Sequence, residues 1–380
     1  MAGRLPAAPP ILSGFTYVRP LGTGGFADVF LFEQNMPRRP VAVKVLLQDI
    51  VDDGLLRMFN AEADVMARLS AHPSILTIYQ ASVSADGRPY IVMEHCPNSM
   101  TNRYRRELIP VAEIVALGVK IGSALETAHR AGLLHRDIKP SNILMTAFGA
   151  PVLSDFGIAA SINARGDGEV FAMSVPWSAP EVVDESISGS IPSEVWSLGA
   201  TIYTLLAGRS PFEIAGSGQN GRDQLKGRIR KAQYTPIGRS DVPASLEALL
   251  QRSMSKDPAR RQASAAQFAY ELQVVQHEMG LPSTPLEIAV DEWAAAGAAI
   301  DFQDNSLRGP VRPTVEHASR RPQRASRSTA RRVSLDGTVL AGSSPSRPAR
   351  SRWLIPTIIA GAVAVGVAAT VTILALTGVF

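Results

Sequence analysis

Two short strings constrain this 380-residue chain more than any other feature: HRDIKPSN at 135–142 and SDFGIA at 154–159. Asp137 and Asp155 bring two carboxylates into one neighbourhood. Like charges repel, so that arrangement is stable only where cations lie between them. Lys139 and Asn142 complete the first string with a fixed cation and a neutral oxygen ligand. Hard oxygen donors suit magnesium held jointly with phosphates, and one carboxylate is left over for an incoming hydroxyl. These are the parts needed to move a phosphoryl group, provided the fold brings both strings into one crevice.

The length allows more than one domain, and about 250 residues would bury an ample core. Net charge is +4, but it is unevenly spread. Residues 301–352 hold 11 Arg against 4 acidic residues, or +7, which leaves −3 for the remainder. A near-neutral body gives no reason to expect nucleic-acid binding. The single cysteine, Cys96, excludes an intrachain disulfide and suits a reducing interior. MAGRLPAAPPILSG lacks the continuous apolar core of a signal peptide.

Residues 1–13, rich in Pro and Ala, read as a flexible leader. From 15 to about 95 the pattern is strands around one helix. LGTGGFADVFLFEQ reads as strand, glycine turn and strand; RPVAVKVLL and YIVMEHC read as further strands. GLLRMFNAEADVMARLS places Leu55, Phe59, Met66 and Leu69 at helical spacing. From 96 to about 278 helices dominate. VAEIVALGVKIGSALETAHRAG is long and amphipathic and ends at Gly132; IPSEVWSLGATIYTLLAG is apolar all round and so predicts a buried central helix. SLEALLQRSM and SAAQFAYELQVVQHEM close the body near 278. The class is α+β: a small β-rich lobe, then a larger α-rich lobe, with a cleft between them.

A second half of the site lies upstream. Gly22, Gly24 and Gly25 form the turn between two strands, although Ala27 stands where a third glycine would complete GxGxxG. Lys44 follows on the next strand. Glu62 lies three residues after Phe59 and four before Met66, on the inward face of the helix. A carboxylate there is costly unless paired, and Lys44 is the expected partner. Lys44 so held would bind the α- and β-phosphates of a nucleotide.

The set LGTGGFADVF, VAVK ending at Lys44, Glu62, HRDIKPSN, DFG at 155–157, APE at 179–181, VWSLG at 195–199 and the Arg of DPARR resembles the eukaryotic-like (Hanks-type) serine/threonine protein kinases over residues 15–272. The resemblance implies the bilobal protein-kinase fold, ATP, and two magnesium ions for which manganese can substitute. It implies that Asp137 orients the substrate hydroxyl and accepts its proton. Lys139 would neutralise the γ-phosphoryl group, and Asn142 and Asp155 would hold the metal. Leu21 and the glycines would cover the nucleotide; Val29, Ala42 and Leu144 would sandwich the adenine, with backbone groups of Glu94 and Cys96 on its edge and Met93 as gatekeeper. His135, Phe156 and Met66 would stack as a spine, and Glu181 would pair with Arg261. Lys139 matches the Ser/Thr branch. The chain's 32 Arg against 6 Lys, with its lobe–linker–helix layout, resemble bacterial membrane kinases.

Some positions depart from that pattern. Glu194 replaces the usual Asp at the start of the central helix, and its extra methylene is expected to loosen the catalytic loop. The segment 157–181 has no threonine, so Ser174 supplies the hydroxyl near Asp137 and Lys139, and Ser161 or Ser174 is the candidate activating phosphosite. A pseudokinase-like scaffold that binds nucleotide without turnover is the alternative reading.

The basic, aromatic-poor stretch 300–352 reads as a disordered linker. Residues 353–380 carry no charge for 28 positions, and at about 1.5 Å per residue they exceed a hydrocarbon core of roughly 30 Å, which predicts a transmembrane helix. Arg350 and Arg352 flank it, with six more Arg between 320 and 332. They would bind anionic lipid and keep the kinase body cytoplasmic at the cell membrane. Either a tail-anchored kinase with no sensor domain on the far side or a truncated sequence is expected. Ser326, Ser328, Ser334 and Thr338 are candidate autophosphorylation sites, and Ala362 with Gly366 offers a small-xxx-small face for a homodimer.

Overall fold

The computed structural model describes residues 4–288 apart from 26, 49–58, 60–62, 64–65, 157–173, 215, 217 and 219. The expected linker at 300–352 and membrane helix at 353–380, including Ala362 and Gly366, lie outside the described residues. Among the described residues no helix is long and apolar enough to cross a membrane.

Five antiparallel strands build the first lobe in the order β1-β2-β3-β5-β4: β1 Phe15–Thr23, β2 Ala27–Asn35, β3 Arg38–Leu46, β4 Ile78–Val83 and β5 Pro89–Glu94. Side chains alternate between faces at period two. Phe30, Phe32, Val41, Val43, Val45, Tyr90 and Val92 therefore cluster on one face, where Leu12 joins them. The register sets Val29 opposite Lys44, Lys44 opposite Ile91, and Ala42 opposite Met93. Directly opposed residues share a face, so these five point to the other side, toward the cleft. Residues 59, 63 and 66–69 are helical, with Phe59, Ala63, Met66 and Leu69 buried at the spacing of one helical stripe.

The second lobe is mostly helical. The helix Val111–Arg130 buries 14 of its 20 residues against the central helix Ile191–Ala207 and the last helix Ala265–Glu278. Gly118 and Gly122, one turn apart, permit that approach: a Cβ on Gly118 would sit 2.5 Å from Leu272 Cδ1, and one on Gly122 would sit 2.9 Å from Ala269 Cβ. Ser190 caps the central helix, and Gly208, at φ +70°, closes it. A small sheet of β6 Asn98–Ser99, β7 Ile143–Met145 and β8 Pro151–Leu153 lies beside the cleft. Its last strand is bonded to the loop after the first lobe's helix, through Leu76 N–H to Leu153 O and Leu153 N–H to Ser74 O, both 2.9 Å. The sequence reading did not single out β4, the small sheet, or the helices Met100–Tyr104 and Arg222–Arg230.

Contacts at both ends of the body were not singled out in the sequence. The leader is placed against the sheet from Arg4 onward: Arg4 pairs with Asp28, the Ala7 N–H donates to Asp28 Oδ2 at 2.7 Å, and Leu12 is buried in the outer-face cluster. A buried carboxylate and an apolar sheet face both need covering, which Pro/Ala-rich composition does not reveal. At the other end the chain continues past the last helix as a strap. Gln276 Oε1 accepts the Thr284 N–H at 2.8 Å, Leu286 packs on the core, and Glu287 O takes a 2.5 Å hydrogen bond from His72 Nε2.

Candidate active site

The HRDIKPSN loop is shaped by two unusual backbone conformations and one buried acid. Arg136 lies at φ +64° and Asp155 at φ +61°, left-handed values that cost non-glycine residues energy unless neighbours hold them. Glu194 does the holding at Arg136: its Oε1 accepts the Arg136 N–H at 2.5 Å, and its Oε2 meets His129 Nε2 at 2.6 Å. Both side chains are 3% exposed. The longer side chain spans both partners. His135 is fully buried; its Nδ1 accepts the Asp137 N–H at 3.2 Å, so Nε2 carries the proton that it donates to Ser154 O at 2.8 Å. Ser154 in turn bonds Asn142 O through its backbone N–H (2.9 Å) and hydroxyl (3.1 Å). The two strings are thus stitched together.

Within this frame Asp137, Lys139 and Ser174 form a closed triangle. Lys139 Nζ is 2.7 Å from Asp137 Oδ2 and donates to Ser174 Oγ at 2.9 Å, and the Ser174 hydroxyl donates to Asp137 Oδ1 at 2.6 Å. The Asn142 side-chain NH₂ donates to Asp137 O (2.8 Å) and Oδ2 (3.0 Å). That fixes the amide; its Oδ1 accepts the Ser141 hydroxyl at 3.2 Å and keeps a second lone pair, suited to a hard cation. Ser161 and Gly157 lie outside the described residues.

Lys44 reaches across the cleft to Asp155, Nζ to Oδ1 at 2.5 Å. Glu62, its expected partner, lies outside the described residues, so the pairing that is visible joins the two halves of the site directly. Burial pushes the Asp155 carboxyl up, but the Lys44 ammonium, helped by His135 and Lys139, outweighs it and holds the group below the usual carboxylate range. Asp155 is therefore ionised at neutral pH, as a metal ligand must be. No group of three or more His, Cys, Asp or Glu among the described residues could hold a metal alone. A magnesium–nucleotide site does not need one, because phosphate oxygens and waters complete the shell. The donor set, one carboxylate and one oriented amide oxygen, fits that ion.

The residues expected to face a nucleotide lie where the register puts them. Gly22 is opposite Val29 at the end of β1, the Gly24 N–H donates to Ala27 O at 2.8 Å, Gly25 is exposed, and Leu21 is partly exposed at the rim. Ala42 is buried, while Val29 and Leu144 are half-buried. The Glu94 N–H is committed to Thr77 O at 2.9 Å. Cys96 has a free thiol whose pKa is pushed up to about 12, by burial first and by the Glu94 charge second, so it is chemically quiet. Behind Lys44 a small pocket is lined by Met66, Met93, Asp155 and Phe156 among others. The Phe156 ring lies 4.5 Å from that of His135. Below, Arg261 grips Glu181 with two bonds of 2.6 and 2.9 Å. A larger open groove of about 1080 Å³, lined by Lys231, Tyr234, Arg252, Lys256 and Arg260 among others, contains none of the site residues.

A family profile described as protein kinase domain matches residues 15–277. The chain belongs to the protein kinase family. Such enzymes use ATP with divalent metal ions and act on proteins. This kinase is similar to the serine/threonine-protein kinase PknK of Mycobacterium tuberculosis, with 39% identity over 309 residues that cover 80% of this chain and 28% of the relative. It is also 31% identical to PknJ of the same species, over 77% of this chain and 51% of that one. The figure for PknB of M. tuberculosis is again 31%, over 76% and 46%. The kinase thus spans between about a quarter and a half of the length of these relatives.

Proposed function

We propose that the chain transfers the γ-phosphoryl group of ATP to serine or threonine hydroxyls of proteins, itself included, in bacterial signalling. The observation that carries this reading is the convergence of the Asp137–Lys139–Ser174 triangle with the Lys44–Asp155 pair in one cleft. Asp137 would accept the proton of an incoming Ser or Thr, a reading supported by its acceptance of the Ser174 hydroxyl at 2.6 Å. Lys139 would neutralise charge gathering on the transferred group, and Lys44 would fix the α- and β-phosphates. Asn142 and Asp155 would hold magnesium, which when bound neutralises phosphate charge. Manganese could take its place. Glu62 would hold Lys44 once phosphates compete for its ammonium. Leu21, Gly22, Gly24 and Gly25 would cover the triphosphate. Val29, Ala42 and Leu144 would enclose the adenine, whose edge would meet backbone groups of Glu94 and Cys96. Little covalent chemistry is asked of the protein; positioning and charge are.

The uncharged stretch 353–380 and the Arg-rich segment before it support membrane anchoring with the kinase body in the cytoplasm. Ala362 and Gly366 support pairing of two anchors.

Incubating the full-length chain with γ-labelled ATP, magnesium and casein tests the reading. Label should appear on phosphoserine or phosphothreonine and fall at least about 100-fold in Asp137→Asn. Equal labelling by Asp137→Asn, or label on tyrosine alone, would refute it.

A further inference from the structure

The glycine turn between β1 and β2 is held within the hairpin by backbone bonds such as Gly24 N–H to Ala27 O. A Cβ on Gly22 would touch nothing within 4 Å. Backbone without side chains visits many conformations, and a loop that must aim several N–H groups at phosphates loses that freedom on binding. A further restraint comes from outside the turn. Asp28 shares the outer sheet face of Phe30 and Phe32, away from the cleft, and its side chain is 1% exposed. Both of its oxygens are taken: Oδ1 by the Arg4 guanidinium and Oδ2 by the Ala7 N–H. Arg4 Nη2 also donates to Gly24 O at 3.4 Å, while the Gly24 N–H donates to Ala27 O at 2.8 Å. Gly24 is therefore held at both of its backbone groups, its N–H by the turn itself and its carbonyl by Arg4.

We propose that Arg4, anchored on buried Asp28, is a positioning residue that sets the glycine turn in its phosphate-binding shape before ATP arrives. Neither residue touches the nucleotide. The clamp acts through Gly24, at a turn where Ala27 already stands in place of the third glycine. Its effect falls on nucleotide affinity, because a pre-set turn has less freedom to lose when the phosphates bind. This inference rests on the nucleotide-binding reading above.

The test compares the full-length chain with Arg4→Ala, Arg4→Lys, Asp28→Asn and the Arg4→Ala/Asp28→Asn double variant. The readouts are KM for ATP with magnesium, KM for casein, kcat and the nucleotide-free melting temperature. Arg4→Ala should raise the ATP KM about 3- to 10-fold and leave kcat and the casein KM within about twofold. Arg4→Lys should recover part of the loss, and the double variant should be no worse than the worse single one. Arg4→Ala strands the buried Asp28 carboxylate, so each KM is read beside the melting temperature; Arg4→Lys, which keeps the counter-charge, and the double variant, which removes both charges, decide the matter where Arg4→Ala loses stability. An unchanged ATP KM in Arg4→Ala, beside a parent that binds ATP, overturns the clamp alone. So does a parallel loss in both KM values and kcat that follows the melting temperature, which would mark Arg4 as structural only. A parent that binds no ATP overturns both readings.

Discussion

The Glu194 carboxylate holds the Arg136 backbone N–H at 2.5 Å while its other oxygen is 2.6 Å from His129. Arg136 needs that acceptor, because its left-handed backbone precedes Asp137 directly. Removing the carboxylate leaves the part-buried Arg136 N–H and the buried His129 Nε2 without this partner, at a cost of about 1–3 kcal/mol. Glu194→Ala should therefore lower the unfolding free energy by about 2 kcal/mol in urea titration and reduce kcat more than the ATP KM. Glu194→Asp is too short to reach both partners and should fall between parent and Ala.

Arg261 is a structural tie with unusually complete satisfaction. Its side chain is fully buried, forks onto Glu181, reaches the carbonyls of Pro192 and Ser255, and lies 4.9 Å from the Trp196 ring centre. Truncating one member of such a pair strands the other charge. Arg261→Ala should lose about 3 kcal/mol or more of stability, and Arg261→Lys, which cannot fork, should recover only part of it. Chemical denaturation with the unfolding slope monitored checks both.

Ser174 bridges Lys139 and Asp137 without being required to hold them together, since those two also meet directly. Ser174→Ala should leave the melting temperature within a few degrees of the parent and cut kcat by about tenfold through a less ordered base. Ser174→Thr keeps the hydroxyl and should stay near parental activity.

The strap after the last helix carries a pH dependence. His72 Nδ1 accepts the Ser74 N–H at 3.0 Å, so its Nε2 proton is the one shared with Glu287 O. Burial holds the His72 pKa below its ordinary value, against a smaller opposing pull from the Glu287 carbonyl and charge. The unfolded chain thus protonates first as pH falls. The stability from neutral His72 is complete above about pH 6.5 and is lost on acidification toward the lower folded value, at no more than about 1.4 kcal/mol per pH unit. Melting temperatures between pH 8 and 5 should show this slope, and His72→Gln should flatten it.

Much of the site was legible because its residues are costly to place without a purpose. Asp137, Lys139, Asn142 and Asp155 stand in fixed local order, and Lys44 sits in a strand whose alternation gives its face. The central helices announced themselves by period and by the glycines that end them. What the sequence concealed is long-range. Arg4 meets Asp28 from 24 positions away, and His72 meets Glu287 from 215. Such ties leave no periodic trace, and Pro/Ala-rich composition imitates a loose leader. Glu194 was visible as a departure, but whether a longer acid loosens or preserves the loop depends on where His129 stands. The three-residue strands β7 and β8 are too short for alternation to show.

Magnesium-dependent ATP binding, measured by calorimetry on the full-length chain and on Lys44→Met and Asp155→Asn, tests the convergence of the two halves most directly. Binding should require magnesium and weaken at least about tenfold in each variant, with the melting temperature of the nucleotide-free protein little changed. Parental affinity in both variants, or affinity indifferent to magnesium, would contradict a cleft in which Lys44 and Asp155 serve one metal-bound triphosphate.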